Sequence, residues 1–342
     1  MRPIFSRTLI IIIFMVLAAI APVHAGPLED GEAAHKQGNY KKAFQLFKPL
    51  ADQGHAQAQF NLGTMYDNGE GVKEDNVTAV KWYRKAANQS FAIAQNNLGL
   101  MYASGEGVRE DDAAAVGWYR KAAEQGFALG QYNLGLMYDN GEGVPENNVA
   151  AVKWYRKAAD QNLAGAQYNL GLMYANGEGV REDYAAAVKW YRKAADQNFA
   201  PAQYNLGLMY DNGEGVPKNG GAAVKWYRKA ADQGHFFAQN NLGLMYDNGE
   251  IVPENDVVAA RWYRKAADRG FAPAQYNLGV MYANGEGVPQ DLVQAWMWMT
   301  LAAAKGQKNA IEGRKYLVNK MNSSQIEEVK RLSREWREKY NQ

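Results

Sequence analysis

Cysteine is absent from all 342 residues, which removes disulfides, thiolate nucleophiles and thiolate metal ligands together. A lipoprotein anchor is excluded as well, because its lipid needs a thiol. Serine and histidine are almost as scarce. Between residues 26 and 304 the only serines are Ser90 and Ser104, and the only histidines are His35, His55 and His235. No S-x-x-K and no G-x-S-x-G occurs, and no histidine has a serine or metal-ligand partner at a recognisable spacing, so neither a catalytic residue nor a metal ligand is assigned. Charge of one sign does not dominate either: 38 Lys and Arg face 36 Asp and Glu.

Long apolar runs are confined to Leu9–Ala21, which follows Arg2 and Arg7 and precedes Val23-His24-Ala25. That run is shorter than the roughly 20 residues a membrane-spanning helix requires, and its flanks fit a secretory signal over residues 1–25 cleaved after Ala25. The mature chain is therefore expected to be exported, periplasmic or secreted, with no stable membrane span. Cleavage removes Arg2 and Arg7 and takes the net charge from +2 to zero. Residues 305–342 carry ten Lys or Arg and five Asp or Glu, leaving about −5 on residues 26–304. Such a balance is a poor match to nucleic-acid binding.

What the chain has in abundance is self-similarity. Tryptophan recurs at Trp82, Trp118, Trp154, Trp190, Trp226, Trp262 and Trp298, and a Leu-Gly pair recurs from Leu62-Gly63 to Leu278-Gly279, both in steps of 36 residues. A fixed period in this range predicts an all-α solenoid, in which each unit buries its apolar face against its neighbours. Seven repeats over residues 55–306 are expected, between an N-terminal capping helical pair at 26–54 and C-terminal capping helices at 307–342.

Within a unit such as Ala166–Asn198, a first helix carries Ala166, Leu170, Met173 and Tyr174 at helical spacing, and a second runs from about Tyr184 to Gln197. Gly171 sits mid-helix, where glycine costs about 1 kcal/mol relative to alanine. The expected compensation is close approach of a neighbouring helix, with the Trp of the second helix over the notch. Gly177 is expected to end the first helix in left-handed geometry. After the second helices the chain has Gly126, Asn162, Asn198, Gly234, Gly270 and Gly306, residues that tolerate the same geometry, with Ser90 the one exception. The last unit replaces its usual charges with Trp296, Met297, Trp298, Met299 and Leu301, which predicts an extra packing partner in the C-terminal helices.

Three features compete as sites. The N-G-E-G-V loops lack both G-x-G-x-x-G and G-K-(S/T), and no strand precedes them, so they read as turns rather than phosphate cradles. The loop acids Glu70 through Glu286, with Asp75, Asp111, Asp183 or Asp291 nearby, lack the alternating ligands of a calcium loop. Helix capping explains them. The third is a row two residues before each Leu-Gly pair: Phe60, Asn96, Tyr132, Tyr168, Tyr204, Asn240 and Tyr276. Helical spacing aligns it with Asp67, Asp139, Asp211 and Asp247 seven residues on. This row either meets a partner protein, as tyrosine-rich surfaces do, or packs between adjacent first helices.

The unit A-x-x-N-L-G-x-M-Y-x-x-G-x-G-V-x-x-(D/N)-x-x-x-A-x-x-W-Y-x-K-A-A-x-x-(G/N), over roughly Ala56–Ala304, resembles the Sel1-like repeat, a relative of the tetratricopeptide repeat. The resemblance implies a right-handed superhelix of α/α hairpins with first helices lining the concave face. It also implies an adaptor that binds a protein or peptide there, without catalysis or cofactor. One exported branch of that family has a disulfide in each repeat and is linked to β-lactam binding or weak hydrolysis; this chain lacks those cysteines. The alternatives to an adaptor are a cell-wall-directed or β-lactam-binding hydrolase and a purely structural envelope spacer.

Overall fold

A computed structural model describes residues 26–340, and among them eighteen helices and no strand. The expected signal segment, 1–25, lies outside the described residues. The chain forms two compact units that divide between Asp111 and Asp112. In the first unit, α1 (Pro27–Lys36), α2 (Tyr40–Asp52), α3 (Ala56–Asn68), α4 (Asn76–Asn88) and α5 (Ala92–Ser104) pack in succession. The second begins with α6 (Asp112–Glu124), α7 (Ala128–Asn140), α8 (Asn148–Asp160), α9 (Ala164–Asn176) and α10 (Tyr184–Asp196). It continues through α11 (Ala200–Asn212), α12 (Gly220–Asp232), α13 (Phe236–Asn248) and α14 (Asp256–Asp268). It ends with α15 (Ala272–Asn284), α16 (Leu292–Ala304), α17 (Lys308–Val318) and α18 (Ser323–Tyr340).

The two helices of a repeat form for different reasons. In α10, Ala187, Val188, Tyr191, Ala194 and Ala195 are buried while Lys189, Arg192 and Lys193 are exposed, the stripe of an amphipathic helix. The carboxylate of Asp183 accepts the Ala186 amide at 2.9 Å and starts it, a cap worth ~1 kcal/mol. Asn147 and Asn219 do the same for α8 and α12 at 3.0 Å. First helices are small or apolar on most sides and carry neither Lys nor Arg; they gain their stability from being sandwiched. Each ends at a left-handed glycine, with φ 72° at Gly177. The loop behind it is closed by the Asp183 amide donating to the Tyr174 carbonyl at 2.9 Å. After the second helices, Ser90, Asn162 and Asn198 adopt φ between 63° and 66°.

The notch at the mid-helix glycine is filled by tyrosine, not by the tryptophan beside it. A Cβ at Gly171 would lie 2.6 Å from Cε1 of Tyr191, and Gly63, Gly135, Gly207 and Gly243 face Tyr83, Tyr155, Tyr227 and Tyr263 in the same way. In the last repeat Met299 stands against Gly279. Tryptophan points sideways instead: Trp190 packs on the cluster built from α8, including Val152 and Tyr155, with Lys193 Nζ 4.1 Å from its ring centroid. Adjacent residues on a helix point about 100° apart, so only one of Trp190 and Tyr191 can face the notch.

A polar ladder joins repeats from behind. Buried Gln167 donates from Nε2 to the Ala159 carbonyl at 3.1 Å, and Gln197 donates to Gln167 Oε1 at 2.7 Å. Gln161 and Gln131 repeat the second bond at 2.8 Å, and Gln233 and Gln203 at 2.7 Å. Where Arg269 and Lys305 replace the second glutamine, they reach the Gly234 and Gly270 carbonyls instead. Gln239 Oε1 and Gln275 Oε1 are then left without a partner.

At the C-terminal end, α17 and α18 pack on α16, whose Met297, Trp298, Met299 and Leu301 are buried. Val329 is buried and Leu332 packs on the cluster that holds Met297, Trp298 and Leu301, whereas the Trp336 side chain lies outside the described residues.

Candidate functional site

The aromatic row lies on the first helices and is half-buried at Phe60, Tyr132, Tyr168, Tyr204 and Tyr276, and buried at Asn96 and Asn240. The rings of Tyr132, Tyr168 and Tyr204 flank the notch-filling tyrosine of their own repeats. Ring centroids are 5.9 Å apart for Tyr132 and Tyr155, 6.0 Å for Tyr168 and Tyr191, and 5.8 Å for Tyr204 and Tyr227. The hydroxyls engage the asparagine of the following repeat: Tyr132 with Asn169, Tyr168 with Asn205 and Tyr204 with Asn241. Burial raises the pKa of all three phenols. Asn240 substitutes an amide for the ring and accepts from Asn277 Nδ2 at 3.4 Å. The row therefore has a lattice-facing hydroxyl and ring face, and an edge that remains accessible.

The aspartates seven residues on are also held from within. Tyr155 donates its hydroxyl to Asp139 at 2.9 Å, Tyr263 to Asp247 at 3.0 Å, and Tyr227 to Asp211 and Tyr83 to Asp67 at 3.2 Å. Desolvation raises the pKa of Asp139 and Asp247, opposed by these hydroxyl bonds. Each carboxylate has two oxygens and about four lone-pair sites, so accepting one tyrosine proton leaves capacity for a partner's cation. Phe60 and Asp67 share α3 in the first unit, and in the second Tyr132 and Asp139 share α7, Tyr204 and Asp211 share α11, and Asn240 and Asp247 share α13.

Two features escaped the sequence reading. Gln59, Gln131, Gln167 and Gln203 are buried ladder members, and their signal was there, since glutamine precedes the row residue in all seven copies. The other is an aromatic cluster at the start of α13. Tyr204 stacks on His235 with centroids 4.7 Å apart, Phe236 lies 4.5 Å from Phe237, and Phe237 lies 5.0 Å from Phe271. Its signal was the His-Phe-Phe sequence at 235–237, where the other copies have a single aromatic, histidine or leucine followed by alanine.

The Sel1 repeat family model matches residues 26–55, 56–91, 92–127, 128–163, 164–199, 200–235, 237–271 and 272–307. The chain belongs to the Sel1 repeat family. The family model thus also takes the terminal pair, α1 and α2, as a repeat. Among solved structures, a Sel1 repeat protein from Oxalobacter formigenes is 33% identical with a TM-score of 0.69, over 89% of this chain and 98% of that one. The Escherichia coli protein c5321, described as a protective antigen of uropathogenic strains, is 30% identical with a TM-score of 0.56, over 92% and 91%. A curated relative, HcpE of Helicobacter pylori, bears a provisional beta-lactamase name; it is 42% identical over 45 residues, and the match spans only 13% of either chain. The fold is thereby an all-α Sel1 repeat solenoid. Solenoids of this family generally mediate protein–protein interaction and are generally not enzymes. No helix among the described residues is long and apolar enough to cross a membrane.

Proposed function

We propose that the mature chain is an exported, non-enzymatic scaffold that binds a protein or peptide along the face formed by its first helices. The observation that carries this reading is the chemistry of that face. Helices α7, α9, α11, α13 and α15 carry Asp139, Asp211 and Asp247 and no Lys or Arg, beside the edges of Tyr132, Tyr168, Tyr204 and Tyr276. Tyrosine supplies contact area and a polar tip at small entropic cost, and a preformed lattice leaves little to be ordered on binding. Export, to the periplasm or beyond, is supported by the sequence of residues 1–25 and by similarity to a protein described as a protective antigen. No cofactor is assigned.

The test is a crosslinking pull-down from native envelopes with the mature chain, run beside a Tyr132→Ala/Tyr168→Ala/Tyr204→Ala variant whose melting is checked first. Loss of the partner from the folded variant is expected. Retention of every partner identifies a structural spacer instead. Turnover of nitrocefin or muropeptides by the purified chain would overturn the non-enzymatic reading in favour of a cell-wall-directed or β-lactam-binding hydrolase.

A further inference from the structure

The sixth copy departs from the others at its first helix. Phe236 replaces the alanine found at Ala56, Ala92, Ala128, Ala164, Ala200 and Ala272, and Phe237 stands where the other copies have Gln57, Ile93, Leu129, Gly165, Pro201 or Pro273. A position that accepts glutamine, glycine and proline has no packing role that demands phenylalanine. Yet Phe237 is 41% exposed, and Leu244, seven residues on and so on the same side of α13, is 37% exposed. Among the described residues of the first helices, these are the large apolar side chains left open to solvent.

The open stripe ends in uncompensated negative charge. Asp247 lies three residues past Leu244, and its carboxyl is pushed up by burial and by the neighbouring charges of Asp256, Glu286 and Glu254. Helices α11, α13 and α15 supply no Lys or Arg to offset them. The opposite end is different: the Arg269 guanidinium donates to the Gly234 carbonyl beside His235. The two ends of the stripe thus differ, apolar and cation-flanked at Phe237 and acidic at Asp247.

We propose that α13 anchors a basic, amphipathic peptide segment of a partner protein, with an apolar side chain on Phe237 and Leu244 and a Lys or Arg at the Asp247 end. The rise of a helix over the ten residues from Phe237 to Asp247 sets these anchors about 15 Å apart. That separation corresponds to roughly ten residues of partner helix or five of extended chain. A second copy of this chain is the poorer occupant, because two-fold pairing of the face would oppose its carboxylates to one another or to an aromatic ring. The proposal rests on the first-helix face being a peptide-binding surface, and it names the chemistry and the place of the anchor.

Selection of random dodecapeptides on the mature chain tests it. The expected result is a consensus with one aromatic or aliphatic residue and Lys or Arg, whose synthetic peptide binds about tenfold or more weakly to Phe237→Ser/Leu244→Ser. Asp247→Asn should flatten the salt dependence of that binding. Because Phe237 also contacts Phe236 and Phe271, circular dichroism first checks that the Phe237→Ser/Leu244→Ser variant keeps its helical content and a cooperative melt. An acidic or uncharged consensus, absence of any consensus, or equal affinity for the Phe237→Ser/Leu244→Ser variant overturns the proposal. A consensus that survives this variant but is lost on Tyr132→Ala/Tyr168→Ala/Tyr204→Ala overturns the proposal alone and leaves the general binding face standing. A consensus lost on neither variant overturns both. Sedimentation showing a dimer that Phe237→Ser dissolves assigns the stripe to self-association and overturns it too.

Discussion

Gly171 has a hydrogen where a methyl group would lie 2.6 Å from the Tyr191 ring. Adding that methyl raises helix propensity by about 1 kcal/mol but overpacks a closed interface, at roughly 1–3 kcal/mol. Gly171→Ala is therefore expected to lower stability by about 1 kcal/mol net, read from urea denaturation; an unchanged midpoint would show that the ring can withdraw freely. At His235 the effect is on pH. Burial and Arg269 hold its pKa below the ordinary 6.5, so the folded state favours the neutral ring. The associated stability is complete above 6.5 and is lost as pH falls through the lower, folded value. His235→Phe, the residue present at Phe91, Phe127, Phe199 and Phe271, should therefore melt higher relative to the parent at about pH 5 than at about pH 8. A difference that does not change with pH would contradict this. Left-handed positions such as Asn162 and Asn198 were legible because few residue types tolerate them. Tyrosine as the notch filler was not legible, since Trp190 and Tyr191 are adjacent, bulky and aromatic, and periodicity alone does not choose between them.

Element boundaries were readable wherever capping chemistry marks them: Asp183 before α10 and Gly177 after α9 each sit where the structure places a cap. Contacts between elements were less readable. Gly179 and Gly215 adopt positive φ, and a Cβ at either would overlap the backbone of Asn148 or Tyr184 at the start of the preceding second helix. The sixth copy has Ile251 at this place, and the facing residue is Gly220, where a Cβ would meet Ile251 Cγ2 at 2.7 Å. The bulk has moved from one helix start to the other side of the contact. Sequence periodicity alone treats Gly220 and Ile251 as two unrelated lapses, 31 positions apart. Gly220→Ala should destabilise the parent, and Ile251→Gly should relieve that loss. A double-mutant cycle is expected to give a coupling of about 0.5 kcal/mol or more, and simple additivity would mean that the two helix starts do not touch in solution. The row from Tyr132 to Tyr276 was legible as a row. Its half-lattice character was not, because the Asn169, Asn205 and Asn241 partners look like structural constants of the repeat.

At the scale of the molecule, a repeat array is stabilised by neighbours, so its final repeat needs a cover. Removing residues 308–342 deletes α17 and α18 from the surface of α16 and uncovers Met297, Trp298 and Leu301. The truncated chain is expected to self-associate in sedimentation velocity while keeping most of its helical circular dichroism. A monodisperse truncated monomer would show that α16 is self-sufficient. The glutamine ladder also makes length discrete. Gln161 reaches Gln131, Gln197 reaches Gln167 and Gln233 reaches Gln203, always thirty residues back. Excising one whole 36-residue unit from that stretch would rejoin equivalent donors and acceptors, whereas losing any fraction of a unit would strand one of each in the interior. A change in copy number by whole units would therefore lengthen or shorten the row of first helices in whole steps while every remaining joint stays the same.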